Sequence, residues 1–409
     1  MRSLLSCYCI VVSMLSIGTA VARDDAPAIV AQGKVLTDAG NCASCHTADA
    51  SKPFAGGRKI ETPFGAIYSP NLTPDRDTGI GAWSDDDFYR AMHDGIAPDG
   101  SRYYPAFPYP YFTRMTRADV LAIKAYLATL PAIRNTRPAM TLRWPLNHRI
   151  VMRGWNALFF KPGTFALDPT QSAEWNRGAY LVNGPGHCGA CHTPKNAFGA
   201  DRANRPLEGG AVDGWYAPRL DAAARSGLKT WRIADIVDYL KSGRSAKSHA
   251  AGPMAEVVSN STSKLSDADI QAIATYLKSL PARSPEPEVI APTPAQMAVG
   301  EKAYRETCSA CHELDGEGPP GVFPPLPRNS NLMAPDPSSI IRIVLDGADS
   351  VVTAQFPNPA NMPAYSAKMS DDEIAAAITY MRNAWGSAAS AVSPERVRAA
   401  RRPPRGRQP

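Results

Sequence analysis

The chain has 409 residues, a formal net charge of +6, and side chains that are 44% hydrophobic and 20% charged. Such a length predicts two or three domains. So small a positive excess excludes a polybasic nucleic-acid binder, and beyond the leader no segment offers the ~20 apolar residues of a spanning helix.

Residues 1–22 read as a secretory signal peptide. Arg2 supplies the positive start, Leu4 to Ile17 the apolar stretch, and Ala20-Val21-Ala22 the small-residue cleavage site. The mature chain is therefore expected in the periplasm, either soluble or resting peripherally on a membrane.

Residues 24–130 form the first predicted module. Its opening helix carries Gly33 and leads into Cys42-Ala43-Ser44-Cys45-His46. In the middle helix Phe88 stands seven residues before Gly95, and the carboxylates of Asp85, Asp86 and Asp87 suit the helix start. The closing helix, Thr116–Leu130, is apolar at Val120, Ile123 and Leu127 and carries Tyr126.

Residues 131–173 are a connector too apolar to be a solvated linker. Trp144, Trp155, Phe159, Phe160 and Phe165 are expected to be buried against the modules on either side. Residues 174–280 repeat the first module with Gly178, Cys188-Gly189-Ala190-Cys191-His192, Ile236 before Gly243, and a closing helix Ser266–Leu280 containing Tyr276. Residues 281–296 are a proline-rich extended linker. Residues 297–386 form the third module, with Gly300, Cys308-Ser309-Ala310-Cys311-His312, Ile340 before Gly347, and Ser370–Trp385 containing Tyr380. Each closing helix opens on a capping box, pairing Thr116 with Asp119, Ser266 with Asp269 and Ser370 with Glu373. Residues 387–409 lack periodicity and are rich in arginine, which predicts a disordered basic tail.

The three Cys-x-x-Cys-His pentapeptides carry the chemistry. This is the attachment signature of c-type haem. Two cysteines add across the porphyrin vinyl groups, and the adjoining histidine reaches the iron. Of eight cysteines, Cys7 and Cys9 lie in the leader, and the other six, Cys42, Cys45, Cys188, Cys191, Cys308 and Cys311, complete the three motifs. None is left for a disulfide. Structural zinc takes four ligands, usually as paired half-sites, whereas each pair here stands alone. Three haem c are expected, with His46, His192 and His312 as iron ligands. The repeated glycine and tyrosine suit a crossed pair of first and last helices, so the expected fold is all-α, three tandem class I cytochrome c domains.

Methionine is the usual sixth ligand and raises the potential. Met254, in Gly252-Pro253-Met254-Ala255, and Met362, in Asn361-Met362-Pro363-Ala364, stand in the loop before the last helix. In the first module that loop reads Tyr104-Pro105-Ala106-Phe107-Pro108-Tyr109, with Phe107 in the methionine's place. Met115 is the nearest substitute, although it matches Leu265 and Met369 just before the helix caps. Met92 fits the core, and His93 is a further alternative.

Trp175-Asn176-Arg177-Gly178-Ala179-Tyr180-Leu181-Val182, the segment from His187 to Pro194, Gly214-Trp215-Tyr216-Ala217-Pro218 and Gly252 to Val258 resemble the triple-haem cytochrome c subunit of bacterial membrane-associated dehydrogenases. That family serves alcohol, gluconate, sorbitol and fructose dehydrogenases, and the likeness spans about residues 27–386. It implies a separate catalytic subunit with quinone, flavin or molybdenum cofactor, no catalytic residue in this chain, and ubiquinone or another respiratory acceptor. It also implies a place on the periplasmic face of the inner membrane. Family members dock there through a C-terminal segment, and the arginine-rich tail departs from that pattern. The competing classes are a self-standing multihaem enzyme of peroxidase or thiosulfate dehydrogenase type and a soluble shuttle. No nucleophile elbow, phosphate loop or dinucleotide fingerprint accompanies the motifs.

Overall fold

Each module begins and ends on helices that cross at a glycine. The computed structural model describes residues 26–353 and 356–401; the expected signal peptide, within residues 1–25, and residues 402–409 lie outside the described residues. Module one runs through α1 (Ala26–Ala39), α2 (Cys42–His46), a hairpin of β1 (Lys59–Thr62) and β2 (Gly65–Tyr68), α3 (Asp85–Asp94), α4 (Tyr109–Phe112) and α5 (Arg117–Leu127). The connector contains α6 (Val151–Phe159). Module two follows with α7 (Ala173–Asn183), α8 (Gly189–His192), a hairpin of β3 (Gly210–Val212) and β4 (Trp215–Ala217), α9 (Ile233–Ser242), α10 (Pro253–Asn260) and α11 (Asp267–Ser279). Module three has α12 (Pro294–Thr307), α13 (Ser309–His312), α14 (Ser338–Asp346), α15 (Asp371–Met381) and α16 (Pro394–Arg401).

A Cβ on Gly33 would lie 1.8 Å from the Ala122 carbonyl oxygen, one on Gly178 1.9 Å from that of Ala272, and one on Gly300 2.3 Å from that of Ala376. Only hydrogen fits between the two backbones. The Cβ atoms of Tyr126, Tyr276 and Tyr380 flank the same points at 3.0, 2.8 and 2.8 Å. The glycine and tyrosine repeats therefore mark one contact, built three times. Around each crossing lies a separate apolar core, centred on Val120 and Ile123, on Ile270 and Ile273, and on Ile374 and Ile378.

The expected all-α fold needs one amendment. Lys59 pairs with Tyr68 and Thr62 with Gly65, and Gly210 pairs with Ala217 and Val212 with Trp215, both antiparallel. Asp213 and Gly214 have φ of 47° and 76°, the left-handed pair that a two-residue hairpin turn requires. Only the third closing helix has a complete capping box, Ser370 with Glu373. Thr116 and Ser266 cap their helices, but Asp119 instead accepts from Gln32 and Tyr180, and Asp269 from Arg177 at 2.7 Å.

The tail also corrects its expectation. Residues 394–401 are helical, with Val397 and Val392 buried in the third core. Arg396 reaches Asp336 at 2.7 Å, and Arg398 and Arg401 share Asp371 at 3.2 and 2.5 Å. Arg382, wholly buried, donates to the carbonyls of Ser390 and Ala334, both at 3.1 Å. Arginine spacing alone resembles a solvated tail, whereas the carboxylates that order it are remote in sequence.

The connector packs as anticipated along one side only. Trp155 donates to the Phe198 carbonyl at 3.0 Å, Phe160 meets the Tyr109 ring edge-on, and Phe165 meets Tyr180. Trp144, expected to be buried, is 80% exposed.

Gly178→Ala is expected to destabilise module two by about 3 kcal/mol, since the backbones would have to separate. Gly154→Ala, on α6 with nothing within 4 Å of the new Cβ, is expected to gain up to about 1 kcal/mol from helix propensity. Thermal unfolding of both variants checks the contrast; similar melting temperatures would contradict it.

Candidate haem sites

The three pentapeptides each form a short helix after the opening helix. In the first two, the histidine is turned so that Nδ1 faces a main-chain carbonyl. His46 Nδ1 lies 2.8 Å from the Pro70 oxygen and His192 Nδ1 2.7 Å from that of Pro218. A bond there sets the tautomer and leaves the Nε2 lone pair for a metal. The Pro324 carbonyl acts on His312 in the same sense, although its Nδ1 lacks a full hydrogen bond. Both bonded rings are half-buried, and desolvation outweighs the carbonyl, holding His46 down to about 4 and His192 below its ordinary value. Neutral imidazoles are what iron ligation needs.

No disulfide joins any of the six cysteines. Burial, with the neighbouring cysteine adding to it, pushes Cys42 and Cys188 up to about 12 and Cys308 to about 11. Such thiols are poor thiolates, which disfavours a dithiol redox site. Among the described residues, no cluster of three His, Cys, Asp or Glu side chains is placed to hold a metal ion. A porphyrin tethered by two thioethers and one imidazole fits this donor set.

Met254 lies at the start of α10 and packs against the second core. Met362 packs against the third and exchanges two backbone hydrogen bonds with Ala348, at 2.9 and 3.0 Å. Met115 is fully buried in the first core, in the cluster that also takes in Cys42. Leu265 and Met369 hold the corresponding places in the other two cores, where the position serves packing. Phe107 packs on Phe112, with ring centroids 5.5 Å apart. His93 is held at the rim of α3, its Nδ1 2.7 Å from Asp94 and its ring stacked on Tyr89.

Sequence reading missed how the sites are joined. From module two, Asn260 on α10 donates to Ser44 Oγ, between the first pair of cysteines, at 2.9 Å, and Ser261 donates to the Ala39 carbonyl at 3.2 Å. Arg58 ties the Ser44 carbonyl to Glu256. From module one, Tyr111 bonds Asp201, and its hydroxyl would lie 2.7 Å from a Cβ on Gly189. Gly189 is thus the small residue that admits Tyr111. His187 Nε2 lies 3.2 Å from the Gly40 carbonyl, so it bridges modules. Each module's distal segment docks on the other's pentapeptide. Cys45 and Cys191 are close enough for charge on one to raise the other.

The second seam joins modules two and three. Tyr216 and Ser339 exchange two hydrogen bonds at 2.9 Å, and Trp231 donates to Ser330 at 3.2 Å. Arg244 donates to the Gly321 carbonyl at 2.7 Å and lies 4.4 Å over the Phe356 ring. Its Nε and Nη2 are buried and have no partner among the described residues. His249 is near both Arg244 and His312; burial, then those charges, lowers it to about 4. Orphaned donors in a seam that also holds His249 and His312 would suit an anionic group such as a porphyrin carboxylate.

The cytochrome c family model matches residues 30–131, 176–281 and 297–385. The chain belongs to the cytochrome c family. It carries three haem c, one for each matched segment. It is 42% identical over 371 residues to a component of the nicotinate dehydrogenase of Pseudomonas putida, covering 88% of this chain and only 30% of that protein. It is 39% identical to the cytochrome c subunit of the quinone alcohol dehydrogenase of Gluconobacter oxydans, covering 91% of this chain and 82% of the relative. Against the gluconate 2-dehydrogenase cytochrome c subunit of Pantoea cypripedii the identity is 36%, covering 91% and 89%. The resemblance read from the motifs is thereby borne out.

A pyridine haemochrome assay is expected to give three covalent haems per mature chain, and Cys188→Ala with Cys191→Ala to give two. Because the porphyrin supplies apolar surface to a module of only about 100 residues, that variant is also expected to lose protease resistance across 175–280. Unchanged resistance would contradict a haem-dependent core.

Proposed function

We propose that this cytochrome is the electron-transfer subunit of a periplasmic dehydrogenase complex. It takes electrons from a catalytic partner of quinoprotein, flavin or molybdenum type and delivers them to ubiquinone or another respiratory acceptor. Haem c, when bound, supplies reversible one-electron chemistry at iron. The carrying observation is that all three attachment segments are joined by polar and packed seams into one series. A chain built to oxidise substrate itself would need a substrate-facing catalytic group, whereas Asn260, Arg58, Tyr111, Tyr216 and Ser339 at these seams are engaged in joining modules. The names of the relatives support a dehydrogenase partner.

The residues divide the work. Cys42, Cys45, Cys188, Cys191, Cys308 and Cys311 tether the porphyrins, and His46, His192 and His312 present Nε2. Met254 and Met362 are the proposed sixth ligands in modules two and three, and Met115 in module one, where Phe107 has no lone pair to offer. Location on the periplasmic face of the inner membrane follows from the leader and the resemblance. Among the described residues no helix is long and apolar enough to cross a membrane, so attachment is proposed to be peripheral.

Co-purification from native membranes is expected to return this chain with a larger cofactor-bearing subunit. Deleting the chain should abolish quinone-coupled oxidation yet leave the partner able to reduce an artificial dye. Loss of both activities, or substrate oxidation by the isolated cytochrome, would overturn the assignment.

Met115→Ala is expected to remove about one third of the near-infrared sulfur-to-iron band and to create a carbon monoxide-binding haem, because methionine ligation is what occupies that iron position. An unchanged spectrum would make Met115 a packing residue, as Leu265 is.

A further inference from the structure

Over most of its length the connector carries charge of one sign only. From Pro131 to Leu167 there is no Asp or Glu, while Arg134, Arg137, Arg143, Arg149, Arg153 and Lys161 are all basic. Surface helices ordinarily turn a polar stripe outward. On α6 the inward stripe is Met152, Trp155, Asn156 and Phe159, and the outward stripe is also apolar: Ile150, Gly154, Ala157 and Leu158, at helical spacing. Ile150 is 61% and Leu158 75% exposed. Trp144, in the turns that lead into α6, is the most exposed large hydrophobic side chain among the described residues. Phe198 of module two extends the apolar surface: it stacks on Phe159 and is 66% exposed.

We infer that this outward face of α6, with Trp144 and Phe198, is where the cytochrome rests on an anionic phospholipid surface. The inference rests on the peripheral membrane location proposed above and names the face responsible. Charge and shape agree on this occupant. Arg143, Arg153 and Lys161 are exposed, and no ion pair engages them among the described residues. They flank apolar side chains without one intervening carboxylate, as in helices that lie in the headgroup plane. Tryptophan prefers that boundary. The arginines of α16 offer no equivalent surface, because Arg396, Arg398 and Arg401 are engaged by Asp336 and Asp371. The inward stripe is packed on modules one and two, so α6 is a rigid platform.

The test is flotation of the full, haem-loaded chain with vesicles of phosphatidylglycerol and phosphatidylethanolamine, compared with phosphatidylcholine alone. Wild type should float with the anionic vesicles and lose binding in high salt. Each neutralised basic residue near an anionic surface removes about fivefold in affinity, so Arg153→Gln with Lys161→Gln should bind about 25-fold more weakly. Leu158→Gln should weaken binding without altering haem content or visible spectrum. Wild-type failure to bind anionic vesicles overturns the inference. Equal binding by all variants also overturns it while leaving the membrane location standing. If the variants instead float normally but lose the catalytic subunit, the face is a protein interface and the inference is wrong. The location itself fails only if the native complex leaves cells in the soluble fraction.

Discussion

A helical glycine pressed against a main-chain carbonyl recurs at Gly33, Gly178 and Gly300, and the architecture follows from it. Each contact brings the first and last helices of a module closer than any side chain would allow. That distance sets where the pentapeptide emerges from the opening helix, and so where each cysteine pair and histidine stands. The tyrosine beside each crossing then fills the angle between the helices. Because this is backbone against backbone, it tolerates wide variation in the apolar side chains around it, which do differ among the three cores.

The modules are not beads on a string. Between the first and second, each distal segment leans on the other's attachment segment, through Asn260 and Ser44 on one side and Tyr111 and Asp201 on the other. Between the second and third, the contacts run from the loop carrying Arg244 and His249 to the segment after His312. The linker at 281–293 is pinned as well: Glu286 accepts from the Arg225 and Ser226 amides at 2.9 and 2.8 Å. Ion pairs that keep partial contact with solvent, such as Arg58–Glu256, contribute little individually. Their role here is registration of one module on the next, with apolar packing around them supplying the affinity.

Local rules made much of this legible. The pentapeptides, the glycine and tyrosine repeats and the Ser and Thr caps are short-range signals, and they pointed to three cytochrome c modules, as the family matches show. What escaped depends on partners distant in sequence. Asp119 looks like a capping residue until Tyr180 of the next module claims it. The tail looks disordered until Asp336 and Asp371 are placed beside it. Asp213-Gly214 is a readable hairpin signal, masked by the helices that dominate the chain. Gly189 resembles a neutral filler inside its motif, and only the position of Tyr111 shows why it is small.

The central claim is that the three sites form one fixed relay within a single chain. Substoichiometric flash reduction of the isolated, fully loaded cytochrome tests it most directly, by following redistribution of the electron among the spectrally distinct sites. The account predicts redistribution at a rate independent of protein concentration, slowed by Tyr111→Ala and Arg58→Ala, which loosen the first seam. A rate that rises in proportion to protein concentration would show that electrons pass between molecules, and the fixed relay would be contradicted.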